Sequence, residues 1–169
     1  MKKTGNALLD AFNKHIKKIR SKIMPIKTFR GKLATETKDT IVLHTNNGNT
    51  GYRIKKFECI AANPAGANQE SVILIHSIDP GTTTPGVIDL SDQTILGCAF
   101  YDNSASTGVQ PPAVIIMDQV VFNQDIYITH NDKAGSEAVN YYLELEQVKL
   151  DLSENTVATL KDIRNITGQ

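Results

Sequence analysis

The chain has 169 residues, with 18 Lys or Arg balanced by 18 Asp or Glu, and it contains no tryptophan. This length suits one domain with a full hydrophobic core. No apolar run approaches the roughly 18 residues that would cross a bilayer, so an integral membrane protein is not expected. The lack of tryptophan argues against a carbohydrate-binding platform or a base-stacking surface.

The first residues concentrate positive charge. Asp10 is the one acidic residue in segment 1–23, which therefore has a net charge of +6 and leaves −6 on the remainder. We predict that residues 1–24 form a basic arm that binds an acidic neighbouring copy or nucleic acid. The arm residues predicted to make these contacts are Lys14, Lys17, Lys18, Arg20 and Lys22. Polar residues interrupt the same segment, so no secretory signal peptide is expected.

The arm also has the periodicity of a helix. Its apolar residues recur at steps of three or four and end before Pro25, which disfavours helical geometry in the preceding residue. They are Leu8, Phe12, Ile16, Ile19 and Ile23. Such a helix packs on its own domain, inserts into a neighbouring subunit, or lies on nucleic acid or a membrane surface, and the pattern leaves these three alternatives open.

From residue 26 the pattern becomes that of β-strands, alternating apolar and polar residues between turn signals such as Asn47-Gly48. A polar stretch at 153–156 then precedes apolar residues at helical spacing, which predicts a short C-terminal helix. The predicted fold is all-β: an antiparallel, jelly-roll-like β-sandwich over residues 25–169, with a helix at each end of the chain. The predicted strands are 26–33, 39–44, 52–61, 71–78, 87–90, 93–101, 113–117, 120–122, 125–130 and 137–152.

The last predicted strand is the longest. Apolar residues occupy its odd positions from Val139 to Leu145 and its even positions from Val148 to Leu152. A one-residue change of phase predicts a β-bulge after Gln147, or a strand that crosses from one sheet to another.

Residues capable of chemistry do not form a recognisable motif. Cys59 and Cys98 lie in apolar segments, which favours burial over a disulfide. The histidines, at 15, 44, 76 and 130, lack metal-site spacing, and the aspartates at 79, 89, 92, 118 and 125 are typical of turns. Neither a nucleophile motif nor a phosphate-binding loop is present. We therefore predict no catalytic residue, no metal site and no cofactor, and a protein that is not an enzyme.

Three parts of the sequence resemble a known group of proteins. They are segment 25–33, segment 122–130, and segment 140–152 together with 156–164. They resemble small virion-associated proteins of uncharacterised role from marine bacteriophages, including phages of cyanobacteria and of the Pelagibacter lineage. The similarity covers roughly residues 24–166. It implies a location in the virus particle, and it implies no mechanism.

We therefore expect a structural virion protein that contacts other copies of itself and other virion proteins, with packaged nucleic acid as a further partner of the arm. Its role would be that of the shell, a minor component or a decorating protein. No membrane partner is expected. The alternative is a spike or tail module that binds a host receptor or ligand through loops 79–86 and 102–112.

Overall fold

The computed structural model describes residues 9, 12–14, 25–43, 49–64, 68–82, 84–103, 111–151 and 156. These residues form eight antiparallel strands in two sheets, which confirms the predicted all-β class. The strands are β1 (Ile26–Leu33), β2 (Thr37–Ile41), β3 (Thr50–Ala61), β4 (Glu70–His76), β5 (Ile95–Asp102), β6 (Ala113–Ile116), β7 (Ile126–Asp132) and β8 (Val139–Lys149).

The two sheets share one hydrophobic core. Sheet A has the order β1-β8-β3, and sheet B has the order β2-β7-β4-β5-β6. Leu143 and Leu145 of β8 are fully buried against the same cluster as Ile73 of β4 and Ile128 of β7. Burial of large aliphatic side chains from both sheets is the main stabilising contribution that the described residues supply.

β8 lies at the centre of sheet A, and its pairing with β1 keeps one register throughout. Its alternation agrees with the prediction, but the expected bulge or crossing after Gln147 is wrong, because Gln147 pairs with Tyr52 without a shift. The irregularity lies in β3, between Ile54 and Lys56. Val148 is half-buried within β8, and Leu150, the first residue after the strand, packs beside Gly51 of β3.

β4 is buried on both faces. Ile73 and Ile75 face the shared core, whereas Val72 and Leu74 belong to a second cluster on the outer face of sheet B. Residues 77–82 and 84–94 fold over that outer face, where Ile88 packs against the second cluster. The predicted strand at 87–90 is therefore wrong, since this apolar stretch covers a sheet without joining it.

Other differences concern where strands begin and end. β2 starts at Thr37 instead of 39 because a tight turn with Glu36 at φ 57° returns the chain directly after β1. Residues 120–122 do not form a strand, and only Phe122 makes a bridge, to Tyr52 of β3. β1 has the predicted bounds.

The predicted helices fall largely outside the described residues. Leu9, residues 12–14 and Thr156 are helical, and the remainder of the arm and of the C-terminal segment is not described. Both helices therefore stay predictions. No helix in the described part of the chain has the length and apolar character that crossing a membrane requires.

Candidate protein-protein interface

The two sheets are tied together along one side, where the edge strands β1 and β2 meet. We call this the closed side. Tyr141 of β8 donates its hydroxyl hydrogen bond to Asp39 of β2 at 2.5 Å. The backbone N–H of Asp132 donates to Thr35 Oγ1 in the β1–β2 turn at 2.9 Å. Hydrogen bonds between sheets and a short covalent connection hold these two edges close.

The opposite side is open. Within the described ranges the edge strands β3 and β6 do not pair, and a bridge between Tyr52 and Phe122 joins the two sides at one end. Beyond that bridge lies a groove of about 1010 Å³, which we call the open groove. Its described lining is Glu58, Cys59, Ile60, Pro64, Tyr101, Pro111, Pro112, Val114, Asn140, Tyr141 and Tyr142.

Backbone hydrogen-bonding groups face this groove from both edges. Residues of an antiparallel strand alternate between bonding to a neighbour and pointing away from it. The N–H of Ala62 bonds to the carbonyl of Ala138, directly before β8, so Cys59 and Ala61 point their backbone groups away from β8. The N–H of Met117 bonds to Leu96, so Val114 and Ile116 likewise point theirs away from β5.

The side chains of the groove are mainly apolar and aromatic. Ile60 is 60% exposed and Val114 is 37% exposed, although both are aliphatic. Burial raises the pKa of the Cys59 thiol to about 12, so this group is a neutral thiol at physiological pH. An exposed concave apolar surface of this kind is typical of a site that binds another molecule.

Charges at the rim of the groove are already paired. Glu58 forms an ion pair with Lys56 at 2.9 Å, and the hydroxyl of Tyr142 donates to Glu144 at 2.7 Å. The Lys56 ammonium also lies 5.6 Å from the ring centroid of Tyr142. The site therefore offers apolar contact and backbone hydrogen bonds more than it offers an unpaired charge.

A buried polar network lies between the sheets. His130 Nδ1 is 3.1 Å from the carbonyl of Ala34, and its Nε2 is 2.9 Å from Ser71 Oγ. Gln69 Nε2 donates to the same hydroxyl at 2.8 Å. A serine beside a histidine is the arrangement of an activated nucleophile. Here both side chains are completely buried, so in this conformation a substrate has no access to them.

A smaller cavity, of about 210 Å³, lies under the segment that covers sheet B. His76 lines it, with Nε2 at 3.1 Å from Thr129 Oγ1. Burial lowers the pKa of His76, and the charge of Asp92 acts in the opposite direction. Among the described residues, no group of three or more His, Cys, Asp or Glu side chains is placed to hold a metal ion.

The predicted contact residues of the arm are almost entirely outside the described chain. Lys14 is helical and exposed, and the structure does not describe Lys17, Lys18, Arg20 or Lys22. His15 and His44 also lie outside the described residues. The structure therefore brings none of these residues to a common site, and the arm contacts stay predictions.

Other sequence expectations concern described residues. Cys59 and Cys98 are free and buried, as predicted. Asp79, Asp89 and Asp92 each accept a backbone hydrogen bond from the residue two positions later, which confirms them as turn formers. Loop 79–86 does not project freely, because Asn131 donates to the carbonyl of Thr84 at 2.9 Å.

Sequence reasoning did not identify the open groove. The available signal was the run Ala113-Val114-Ile115-Ile116, which directly follows two prolines and has neither a charged residue nor an alternating polar face. An apolar run of this kind is ambiguous in sequence, because a buried central strand has the same composition as an exposed edge.

We compared the chain with protein-family models and with curated proteins. No protein-family model matches the chain, and no curated protein is significantly similar to it.

Proposed function

We propose that the chain is a non-enzymatic structural protein of a bacteriophage virion, a capsid component that assembles through protein-protein contacts. It forms the shell itself or serves as a minor or decorating protein on it. The virion setting rests on the resemblance of segments 25–33, 122–130, 140–152 and 156–164 to small phage virion proteins. The protein-binding role rests on the open groove.

The strand order supports a jelly-roll sandwich. In an eight-stranded jelly roll the sheets have the orders β1-β8-β3-β6 and β2-β7-β4-β5. This chain has the same neighbours, except that β6 lies beside β5 instead of β3. The position of that one strand leaves the open groove between β3 and β6. We infer a jelly roll that is incomplete at one edge, with a binding surface where β6 would pair with β3 in the complete fold.

The observation that carries the proposal is the apolar character of this groove. Ile60 and Val114 are exposed there beside Tyr142 and two prolines, and the unpaired backbone of two strands borders the same space. A protein segment would bury the apolar side chains and satisfy the backbone groups together. A small polar substrate would do neither.

The arm supports assembly independently. Leu9 and Phe12 are 60% and 61% exposed, so these apolar side chains are not buried on the arm's own domain. Their exposure favours insertion into another molecule over packing on the same body. A segment of charge +6 on a body of charge −6 would bind a neighbouring copy electrostatically, and Lys14, Lys17, Lys18, Arg20 and Lys22 also suit packaged nucleic acid.

Quantitative mass spectrometry of purified virus particles tests the setting. We expect this chain at an abundance comparable to that of the main shell protein. Absence from washed particles would overturn the virion role. A few copies per particle would exclude the shell and a decorating lattice and leave a minor component or the alternative, a spike or tail module that binds a host receptor.

The arm is tested by neutralising its charge. We expect that replacing Lys14, Lys17, Lys18, Arg20 and Lys22 by Gln abolishes incorporation into particles, because the arm then loses its electrostatic attraction to an acidic partner. The control replaces Lys133 and Lys149, exposed residues of the body that lie outside the edge strands, by Gln. Equal incorporation of both variants would contradict a binding role for the arm.

A further inference from the structure

Four strands form the edges of the two sheets: β1 and β3 in sheet A, and β2 and β6 in sheet B. Charges and bulges on edge strands prevent unwanted pairing with other chains. β6, with the sequence Ala-Val-Ile-Ile, is the one described edge strand that has neither a charged residue nor a bulge. The other edges carry Lys27, Arg30 and Lys32 in β1, Lys38 and Asp39 in β2, and Arg53, Lys55, Lys56 and Glu58 in the bulged β3.

β6 is also accessible. Val114 is 37% exposed on the face that turns to the groove, and Ile115 is 47% exposed on the outer face, beside Phe100 at 37%. The backbone groups of Val114 and Ile116 point away from β5, and no strand among the described residues lies beyond them. The side chains of this edge are therefore exposed, and its outward backbone groups are available to pair with another strand.

We propose that β6 pairs antiparallel with β6 of a second copy around a twofold axis, which joins two five-stranded sheets into one of ten strands. The inference deepens the proposed function and rests on it, because it names the partner of the protein-binding site. When identical edges meet, each residue lies opposite or near its own counterpart, so like charges would repel. Of the four described edges, only the uncharged β6 satisfies this condition.

The geometry of an antiparallel pair selects a register. A twofold axis perpendicular to the sheet keeps each residue on its own face, so paired residues must face the same way. With the axis at Ile115, Val114 of each copy lies opposite Ile116 of the other. This register pairs every backbone N–H and C=O that Val114 and Ile116 point outward. Pro111 and Pro112 have no N–H to donate, so pairing ends there.

The register makes a specific prediction for Ile115. The two copies of this residue meet across the axis as a non-hydrogen-bonded pair, with Cα atoms about 4.5 Å apart. That distance lies within the range in which two cysteines form a disulfide. Ile115→Cys should therefore cross-link two copies. Because Cys98 lies opposite Ile115 in the same chain, the substitution is made together with Cys98→Ala to exclude an internal disulfide.

The experiment compares three double variants under mild oxidation. Ile115→Cys with Cys98→Ala should give a covalent dimer of twice 18.5 kDa on a non-reducing gel, about tenfold faster than the two controls. The controls are Val114→Cys, which lies opposite Ile116 in this register, and Ile26→Cys, which is 55% exposed on β1. A monomeric Ile115→Cys variant, or equal cross-linking by Ile26→Cys, would overturn the pairing.

Sedimentation equilibrium provides a test that does not depend on a disulfide. The wild-type chain should associate to a dimer as its concentration rises, whereas Ile115→Lys should remain monomeric at every concentration. Ile26→Lys, at a 55% exposed position on the β1 edge outside the groove, should dimerise like the wild type. Unchanged thermal unfolding of both variants shows that they fold. A dimer that Ile115→Lys leaves intact would refute pairing through β6.

The pairing through β6 and the virion role can be contradicted independently of each other. If the chain is abundant in purified particles but neither cross-links through Ile115 nor dimerises, the pairing is wrong and the virion role stands. If the chain pairs through β6 but is absent from particles, the pairing stands and the proposed function is wrong.

Discussion

The closed side and the open groove are two solutions to one problem, the junction between the edges of two packed sheets. On the closed side, the hydroxyl of Tyr141 in sheet A binds Asp39 in sheet B, and the edge strands are charged. At the open groove the edges of β3 and β6 face the same space without pairing, and β6 is neutral.

The difference separates a side that stabilises the chain's own fold from a side that is suited to bind a partner. Contacts that the chain completes internally stabilise its own fold, whereas unpaired backbone and exposed apolar side chains gain free energy only when another molecule arrives. Substitutions on the closed side should therefore reduce stability. Substitutions of the exposed side chains at the open groove should change association and leave the stability of the single chain almost unaltered.

The largest contrast is expected between two aliphatic residues. Leu33 lies at the end of β1 and is 3% exposed. Replacing it by Ala should lower the free energy of unfolding by about 2–5 kcal/mol, because a cavity replaces buried contacts. Ile60→Ala, at a 60% exposed site on the groove, should stay within about 0.5 kcal/mol of the wild type. Urea unfolding measures both values, and a comparable loss for Ile60→Ala would contradict the distinction between the two sides.

The sequence predicted the closed side better than the open one. Local alternation defines most of β8, because one face of that strand is buried and the other is polar. β1 has the predicted bounds although Leu33 is its one buried residue. Nothing local reports which edge lies next to which, so the displacement of β6 from β3 could not be read from the sequence. The segment 87–90 failed for a related reason, since Ile88 is buried by covering sheet B instead of pairing within it.

A second, smaller contrast separates two adjacent tyrosines. Tyr141→Phe removes the hydrogen bond to Asp39 that joins the sheets, and a bond of this type to a charged group contributes about 1.5–3 kcal/mol. Tyr142→Phe removes a bond to Glu144 within one strand on the outer face, where water can replace it. Chemical unfolding at neutral pH should show a clear loss for Tyr141→Phe and a much smaller one for Tyr142→Phe.

The tyrosine contrast has an alkaline counterpart. Burial, followed by the bond to Asp39, raises the pKa of Tyr141 above its ordinary value. The folded state therefore keeps a proton that the unfolded state releases, so stability should be intact below about pH 10 and decline above it. Tyr141→Phe should show a weaker decline over the same range. An identical alkaline slope in both proteins would mean that Tyr141 is not held in this buried bond.

The smallest expected effect is an acid destabilisation, to which His130 beside the β1–β2 turn and His76 beneath the segment that covers sheet B both contribute. Burial lowers the pKa of His130 and of His76, so below about pH 6.5 the unfolded chain binds protons that the folded chain excludes. Stability is present above that pH and is lost as pH falls, by at most about 1.4 kcal/mol per pH unit for each histidine. His130→Gln and His76→Gln should each make the unfolding free energy depend less steeply on pH. An unchanged slope in both variants would show that these histidines do not cause the acid destabilisation.

Amide hydrogen exchange locates the same effect within the molecule. His130 contacts the carbonyl of Ala34 in the β1–β2 turn through Nδ1, and its own carbonyl accepts from the N–H of Glu36 at 2.9 Å. A proton added at Nε2 removes the acceptor for Ser71, so the closed side loses order at the turn it depends on. Lowering the pH should therefore reduce protection at Glu36 before it reduces protection at Tyr52, whose N–H bonds to Phe122 at the end of the open groove. If the amide of Tyr52 lost its protection first, the acid-sensitive contact between the sheets would lie on the open side. The bridge between Tyr52 and Phe122 would then be the weaker connection.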